Sequence, residues 1–366
     1  MSANLLLSVE NLTVRLPSRH GTVRAVERVS FAIEKGKTLA LVGESGCGKS
    51  MLCRALAGIL PGGAQLPGAW RMTFDGRNLA RLSPKELTRL RGNEIGIVLQ
   101  NPLASLNPVH TIGRQVSEPM LYHLGIAASE AKRRTVELLQ AVGIPQAEPR
   151  MKCYPHQLSG GMRQRVAIAI ALSCDPKLLI ADEPTTALDV TVQAEILDLL
   201  GRLQRDRGMS ILLVSHDLAL VAGRAHHTAV MYAGRIVEEA PTPELFAGMR
   251  MPYTRALLEA LPRIDAPVLG PLPAIVGQPP NLAAPIVGCA FAPRCAYARD
   301  LCREQEPSLL EAALLPRLDQ AEPEAGVATG FESLPKPEPP RPPTLDPGSP
   351  FHHRYACWFP VGEEMP

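Results

Sequence analysis

The residues best suited to chemistry form a short glycine-rich stretch near the amino terminus. Its sequence, GESGCGKS, matches the phosphate-binding pattern G-x-x-x-x-G-K-[ST] and stands between a strand-like and a helix-like segment. Glycines let backbone N–H groups approach phosphate oxygens, and the helix that follows adds its positive N-terminal end. Lys49 is suited to the β- and γ-phosphates and Ser50 to Mg²⁺. The predicted nucleotide-binding residues of this loop are Gly43, Glu44, Ser45, Gly46, Cys47, Gly48, Lys49, Ser50 and Met51.

A second candidate group consists of two carboxylates at the end of the apolar run LLIADE. A strand that ends beside the phosphate loop can place Asp182 in the coordination shell of Mg²⁺. Glu183, the next residue, can then point toward an attacking water as general base. The run therefore predicts one metal-binding and one catalytic carboxylate.

Two further polar residues also end strand-like runs. Gln100 follows EIGIVL, and His216 follows ILLVS. Open α/β sheets bind their ligands at the carboxyl ends of the strands, so these side chains are expected to meet near the phosphate loop. Gln100 is predicted to contact Mg²⁺ or the attacking water, and His216 to donate to the γ-phosphate.

The stretch LSGGM carries a second glycine pair at the start of a helix-like segment. Its Ser159, Gly160 and Gly161 have the chemistry to receive a γ-phosphate, because the helix end is positive and the missing side chains permit close approach. By itself this pattern indicates only the start of a helix.

The elements that must position these groups alternate between strand-like and helix-like patterns. Apolar runs resemble strands of a buried parallel sheet, and helical periodicity covers residues 129–142, 161–172 and 190–207. This alternation predicts an α/β fold for residues 1–260. Residues 261–366 are predicted to form a C-terminal extension, and the eight prolines of residues 335–350 predict a solvated linker inside it.

Composition argues against two classes of partner. The formal net charge is only +2 and aromatic residues make up 4% of the chain, which disfavours a nucleic-acid-binding surface. The apolar runs fall short of the roughly 18 residues that a membrane helix requires, and the first residues have no signal-peptide pattern. A cytosolic chain is expected, and any membrane role must come through a partner.

The extension also holds four of the eight cysteines, with the spacing C-x5-C-x6-C followed by a distant fourth. Four thiolates suit a [4Fe–4S] cluster or tetrahedral Zn²⁺. The missing C-x2-4-C knuckle favours the cluster over zinc, and buried thiols without a metal remain the third alternative. The predicted ligands are Cys289, Cys295, Cys302 and Cys357.

The order of these motifs resembles that of the ATP-binding-cassette (ABC) ATPases over residues 5–260. The matching stretches are GESGCGKS, Gln100, LSGGM, LLIADEP, the ALD of residues 187–189, and His216. The resemblance implies a P-loop ATPase domain with a helical subdomain at residues 102–175, and ATP as the nucleotide. It also implies that two ATPases pair head to tail, so that the LSGG segment of one closes over the ATP of the other.

A narrower resemblance concerns importers of dipeptides, oligopeptides and nickel. It rests on QNPLASLNPVHTIGRQVSEP, on the end of the cassette at residues 232–262, and on the tail motifs GCAFAPRC and HHRYACWFP. It implies an ATPase subunit on the cytoplasmic face of the bacterial inner membrane, fed by a substrate-binding protein. Its partners would be a related second ATPase subunit and two permeases. Some members of this family bind an iron–sulfur cluster through matching cysteines.

Several points remain open at this level. No Phe, Tyr or Trp lies between Glu10 and Ser30 to stack on adenine, so Leu16, His20 or Arg24 is expected to replace it. The loop after Gln100, with Leu103 and Leu106 taken as exposed, is expected to dock a permease helix. An importer of nickel or another small solute is the main alternative, and a soluble ABC ATPase or a cassette that only binds nucleotide is disfavoured.

Overall fold

The computed structural model describes residues 4–19, 21–101, 105–186, 188–261, 274–311 and 352–361. The strands of these segments form two sheets. In chain order the strands are β1 (Leu5–Ser18), β2 (Gly21–Glu34), β3 (Thr38–Val42), β4 (Arg71–Phe74), β5 (Arg77–Asn78), β6 (Ile95–Val98), β7 (Leu178–Asp182), β8 (Ser210–Ser215), β9 (His227–Tyr232), β10 (Arg235–Pro241), β11 (Leu310–Glu311) and β12 (Arg354–Tyr355).

The helices of the described residues fall between and beside these strands. They are α1 (Lys49–Ala57), α2 (Pro84–Asn93), α3 (Ile112–Pro119), α4 (Ala128–Ala141), α5 (Ala147–Arg150), α6 (Gly160–Ala171), α7 (Val190–Arg207), α8 (Leu218–Val221), α9 (Thr242–Ala247), α10 (Pro252–Glu259) and α11 (Asp300–Glu304). The three helices predicted from periodicity therefore form within one residue of their expected ends. In the described segments, none of the helices combines the length and apolar character needed to cross a membrane.

The larger sheet has the strand order β11-β12-β10-β9-β3-β8-β7-β6. The five strands from β9 to β6 pair in parallel, and β10, β12 and β11 add antiparallel strands at one edge. Every residue of β3, β7 and β8 is buried. This is typical of parallel strands covered on both faces.

Alternate residues of β3 contribute to two hydrophobic cores. Ala40 and Val42 belong to a core shared with the helices α3 to α7. Leu39 and Leu41 belong to a core shared with α1 and the smaller sheet, whose strand order is β2-β1-β4-β5. Each fully buried Val or Leu side chain stabilises the fold by about 1.5–3 kcal/mol. The two cores thus hold β3 and the segment that follows it firmly in place.

The carboxyl-terminal tail adds strands to the larger sheet. Backbone pairing joins Glu238 of β10 to Tyr355 of β12, and β12 in turn pairs with β11. The tail residues Arg354 and Tyr355 therefore pair with a strand that lies more than 100 residues earlier in the sequence. The domain limits at residues 260 and 261 stay a prediction, and the proline-rich linker at 335–350 lies outside the described residues.

Candidate nucleotide site

The phosphate loop, residues 43–50, connects buried β3 to the first turn of α1. A Cβ atom on Gly48 would lie 2.1 Å from the carbonyl oxygen of Ala25, and one on Gly43 would lie 2.2 Å from that of Met231. Both glycines also have positive φ angles, of 109° and 155°. Only glycine satisfies both the conformation and the close approach. Lys49 and Ser50 consequently stand on the first turn of α1, with backbone N–H groups facing the loop.

The Lys49 ammonium group is held inside this loop. Nζ donates to the carbonyl oxygens of Gly43 at 2.6 Å and Glu44 at 2.9 Å, and the residue is only 3% exposed. Its distance to Oε1 of Glu183 is 3.8 Å. A buried cation surrounded by oxygen atoms in this way can exchange carbonyl ligands for phosphate oxygens.

Asp182 meets Ser50 at the end of β7. The Ser50 hydroxyl donates to Oδ1 of Asp182 at 3.1 Å, and Asp182 is 2% exposed. Burial raises the pKa of this carboxyl group above its ordinary value. A desolvated carboxylate gains strongly from a nearby cation, and hydroxyl and carboxylate oxygens are the ligands that Mg²⁺ prefers. The two residues therefore fit a magnesium site.

Glu183 is the centre of a hydrogen-bonded cluster. Its Oε2 accepts from Nε2 of Gln100 at 2.8 Å and from Oγ1 of Thr186 at 2.9 Å, and lies 3.4 Å from Nδ1 of His216. The hydrogen bond with His216 is the largest cause that lowers the pKa of Glu183, to about 2, and the hydrogen bond from Thr186 and the charge of Lys49 act in the same direction. Glu183 in turn raises the pKa of His216. The three predicted catalytic residues therefore meet at one ionised carboxylate.

The backbone of Glu183 is itself unusual, with a φ of 47°. A left-handed conformation in a residue other than glycine costs about 1–3 kcal/mol and persists where the surrounding structure fixes it. Its N–H donates to the carbonyl oxygen of Val214 in β8 at 3.1 Å. This bond turns the chain at the end of β7 and aims the carboxylate at Gln100 and His216.

The sheet explains why these side chains come together. The phosphate loop follows β3, His216 follows β8, Asp182 ends β7, and Gln100 follows β6. These four strands are parallel neighbours, in the order β3-β8-β7-β6. Their carboxyl ends share one edge of the sheet, where ligands of open α/β sheets bind.

The LSGG segment stands at the start of α6, between β6 and β7 in the chain. Ser159 is the N-cap of α6, and its Oγ accepts a hydrogen bond from the N–H of Met162 at 3.4 Å. Ser159 and Gly160 are exposed, and a Cβ on Gly161 would meet Val192 of α7 at 3.0 Å. No contact described for Ser159, Gly160 or Gly161 involves the phosphate loop or the Glu183 cluster.

The three candidates for contact with adenine have different surroundings. Leu16 packs partly buried against the second core, and His20 lies outside the described residues. Arg24 is exposed and precedes Ala25, whose carbonyl oxygen borders Gly48 of the phosphate loop. Arg24 is thus the candidate whose neighbour in sequence contacts the phosphate loop.

The predicted metal centre of the tail is wrong. The four tail cysteines line one narrow apolar cavity of about 10 Å³, together with Phe291, Trp358 and Phe359. No group of three or more His, Cys, Asp or Glu side chains in the described residues is arranged to hold a metal ion. Burial raises the pKa values of Cys289, Cys295 and Cys357, the last to about 12. Since metal ligation requires thiolates, this apolar environment opposes both the [4Fe–4S] and the Zn²⁺ prediction.

Sequence reasoning missed three residues of the site. Thr186 donates to Glu183, Tyr253 accepts from the backbone N–H of Glu44 at 2.8 Å, and Arg294 forms an ion pair with the Glu44 carboxylate. Arg294 stands 250 residues from Glu44, so no local pattern links them. The available signal was its position inside GCAFAPRC, a motif in which only the cysteines were assigned a role.

Known proteins with the same fold define the class. The family described as "ABC transporter" matches residues 26–186. A dimeric ATP-binding cassette solved in a post-hydrolysis state with ADP and Pi superposes with a TM-score of 0.58 at 27% identity, covering 64% of this chain and 98% of that one. The structure of cbiO1 from Clostridium perfringens, part of the ABC transporter complex cbiONQ, superposes with a TM-score of 0.58 at 32% identity. The match covers 67% of this chain and 91% of that one. The predicted ABC ATPase fold is thereby confirmed.

Similar proteins with known names place the chain in one branch of the ABC ATPases. The dipeptide transport ATP-binding protein DppD of Lactococcus lactis is 47% identical over 86% of this chain and 89% of its own length. The oligopeptide transport ATP-binding protein OppD of Bacillus subtilis is 46% identical over 84% of this chain and 86% of its own length. The family "Oligopeptide/dipeptide transporter, C-terminal region" matches residues 237–302. The chain therefore belongs to the family of peptide-transport ABC ATP-binding proteins, as its motifs predicted.

Proposed function

We propose that this chain is the ATP-hydrolysing subunit of an importer of dipeptides or oligopeptides. The observation that carries the proposal is the cluster of Gln100, Glu183 and His216 beside the Ser50–Asp182 pair. It stands in a chain that is 46% identical to the dipeptide transport ATP-binding protein DppD of Escherichia coli, over 83% of this chain. The residues of the site support ATP hydrolysis, and the similarity to peptide-transport proteins supports the coupling of this hydrolysis to peptide transport.

Each residue of the site has a role in this proposal. Lys49 leaves its two loop carbonyls and binds the β- and γ-phosphates of ATP. Ser50 and Asp182 would hold Mg²⁺, which would neutralise part of the phosphate charge. Glu183 accepts a proton as water attacks the γ-phosphorus and the bond to the β-phosphate oxygen breaks. Gln100 orients this water, and His216 donates to the γ-phosphate.

The exposed LSGG segment supports a paired ATPase. Ser159 and Gly160 are open to solvent at the start of α6, and the contacts described for them do not involve the phosphate loop of their own chain. A helix start of this kind attracts phosphate, so its partner is the ATP of a second subunit placed head to tail. A related but distinct second ATPase subunit fits this role.

The loop after Gln100 is the proposed contact with a membrane permease, with one correction. Leu106 is 3% exposed and packs in the first core, so the expectation that it is exposed is wrong. Leu103 and Ala104 lie outside the described residues. Val109, which is 74% exposed, is the apolar side chain available for docking. The chain would thus sit at the cytoplasmic face of the inner membrane, beneath two permeases.

Crosslinking tests this contact. A cysteine at Val109 is expected to form an adduct with a permease in membranes, because an exposed apolar side chain on the coupling loop is buried in the complex. A cysteine at Val287, 73% exposed in the tail, is the matched control. Equal labelling of permease from both sites, or none from Val109, would remove this loop as the docking site.

Uptake by the assembled transporter tests the function as a whole. Vesicles containing this chain, its second ATPase subunit, the permeases and the substrate-binding protein should accumulate a labelled dipeptide only with ATP. Nickel uptake in place of dipeptide uptake would support the alternative importer. ATP hydrolysis without any uptake would contradict a transport function.

A further inference from the structure

A tail arginine contacts the phosphate loop directly. Nη1 of Arg294 lies 2.6 Å from Oε2 of Glu44, and Nη2 lies 2.9 Å from Oε1. Glu44 is the second residue of GESGCGKS, and Arg294 belongs to GCAFAPRC. The Arg294 side chain is 4% exposed. A bidentate pair shielded from water in this way is among the stronger polar contacts in proteins.

Every donor of this guanidinium group is used. Besides the two bonds to Glu44, Nε donates to the carbonyl oxygen of Val276, Nη2 to that of Ile275, and Nη1 to the hydroxyl of Tyr232 at 3.3 Å. Arginine has five N–H donors in a rigid fork, whereas lysine offers three on a single point charge. The position therefore requires arginine and fixes the orientation of the Glu44 carboxylate.

The loop is also held through its backbone by the same region. The N–H of Glu44 donates to Tyr253 Oη at 2.8 Å. Tyr253 packs on Tyr232 at 4.4 Å and on the tail residue Phe291 at 5.3 Å, measured between ring centroids. Both tyrosines are almost fully buried. Neither the side chain nor the N–H of Glu44 is thus turned toward a phosphate.

We propose that Arg294 is a positioning residue through which the C-terminal extension sets the affinity of the phosphate loop for ATP. The inference rests on the proposed function of that loop. The link to the nucleotide is short, because the carbonyl oxygen of Glu44 accepts a hydrogen bond from Lys49 Nζ at 2.9 Å. If Glu44 is free to move, the loop and Lys49 lose their pre-organised arrangement, and ATP binding must restore it.

The test is a double-mutant cycle in the assembled transporter. Arg294→Gln and Glu44→Gln are each expected to raise the KM for ATP on the order of tenfold, the effect of losing a net 1.4 kcal/mol of binding. The kcat should change little, since Gln100, Glu183 and His216 are untouched. The double variant should be no worse than either single variant, because both remove the same contact.

Further variants separate this role from general stability. Arg294→Lys should fail to restore the KM, because lysine cannot reproduce the fork. Arg303→Gln removes an exposed tail ion pair with Asp300 and should leave the KM unchanged. If Arg294→Gln does not fold, the KM for ATP of the Glu44→Gln variant still tests the inference, because the tail is unchanged in that variant.

Two results would overturn the inference. One is an unchanged KM in Glu44→Gln, and the other is single-variant effects that multiply in the double variant. The wild-type transporter distinguishes this failure from failure of the proposed function. A wild-type complex that neither binds nor hydrolyses ATP would refute the function itself, whereas normal wild-type activity with unaffected variants refutes only the role of Arg294.

Discussion

Glu183→Gln is expected to leave ATP binding almost unchanged and to slow turnover by a factor on the order of 10²–10⁴, the usual contribution of a general base. The substitution keeps the size of the side chain and an oxygen atom that can accept from Gln100 and Thr186. It removes the ability to accept a proton from water. The expected signature is therefore a large fall in kcat with an unchanged dissociation constant for ATP.

Phosphate release by the assembled transporter and nucleotide binding by the same preparation measure these two quantities. Glu137→Gln is a suitable control, since Glu137 forms an exposed pair with Arg133 on α4. A Glu183→Gln transporter that retains most of the wild-type rate would show that another group accepts the proton.

The low pKa of Glu183 adds a condition to this mechanism. A carboxylate with a pKa of about 2 is a weak base, and its bond with His216 is the largest cause of the shift. General bases act best when their pKa lies near the working pH. We therefore expect ATP binding to draw His216 toward the γ-phosphate, which frees Glu183 for water and raises its pKa.

Lys49→Ala is expected to weaken the binding of ATP, whereas Glu183→Gln slows its hydrolysis. It removes a buried cation, and each charge-assisted hydrogen bond of this kind contributes about 1.5–3 kcal/mol. The variant also leaves the carbonyl oxygens of Gly43 and Glu44 without their donor. We expect the dissociation constant for ATP to rise by roughly a hundredfold or more.

Titration with a fluorescent ATP analogue measures this loss. Lys177→Ala is the matched control, because Lys177 is a half-exposed lysine that forms ion pairs with Asp75 and Glu94 outside the site. Equal affinities of wild type and Lys49→Ala would contradict the assignment of the loop. A loss of affinity in both variants would point to a general effect of charge.

The sequence by itself determined the class of fold and the chemistry of the nucleotide site. Gly43, Gln100, Asp182 and His216 each follow or end a run of strand-like residues, and the carboxyl ends of parallel strands must share one edge. The spacing of polar groups along the chain was therefore enough to predict their meeting. The same local logic predicted α4, α6 and α7, because helical periodicity is a property of neighbouring residues.

Only the tertiary structure decided the contacts between distant segments. Local patterns carry no information about which side chains face each other after the chain has folded, so Leu106 was taken as exposed although the first core buries it. For the same reason the number and spacing of the tail cysteines, together with the family resemblance, suggested a metal centre, whereas the cavity that they line is apolar and burial raises the pKa values of three of the thiols. The pairing of β12 with β10 carries the tail back to the ATPase sheet. The pair of Arg294 and Glu44, which connects that tail to the phosphate loop, exists because two segments 250 residues apart pack together and bury the Arg294 guanidinium group.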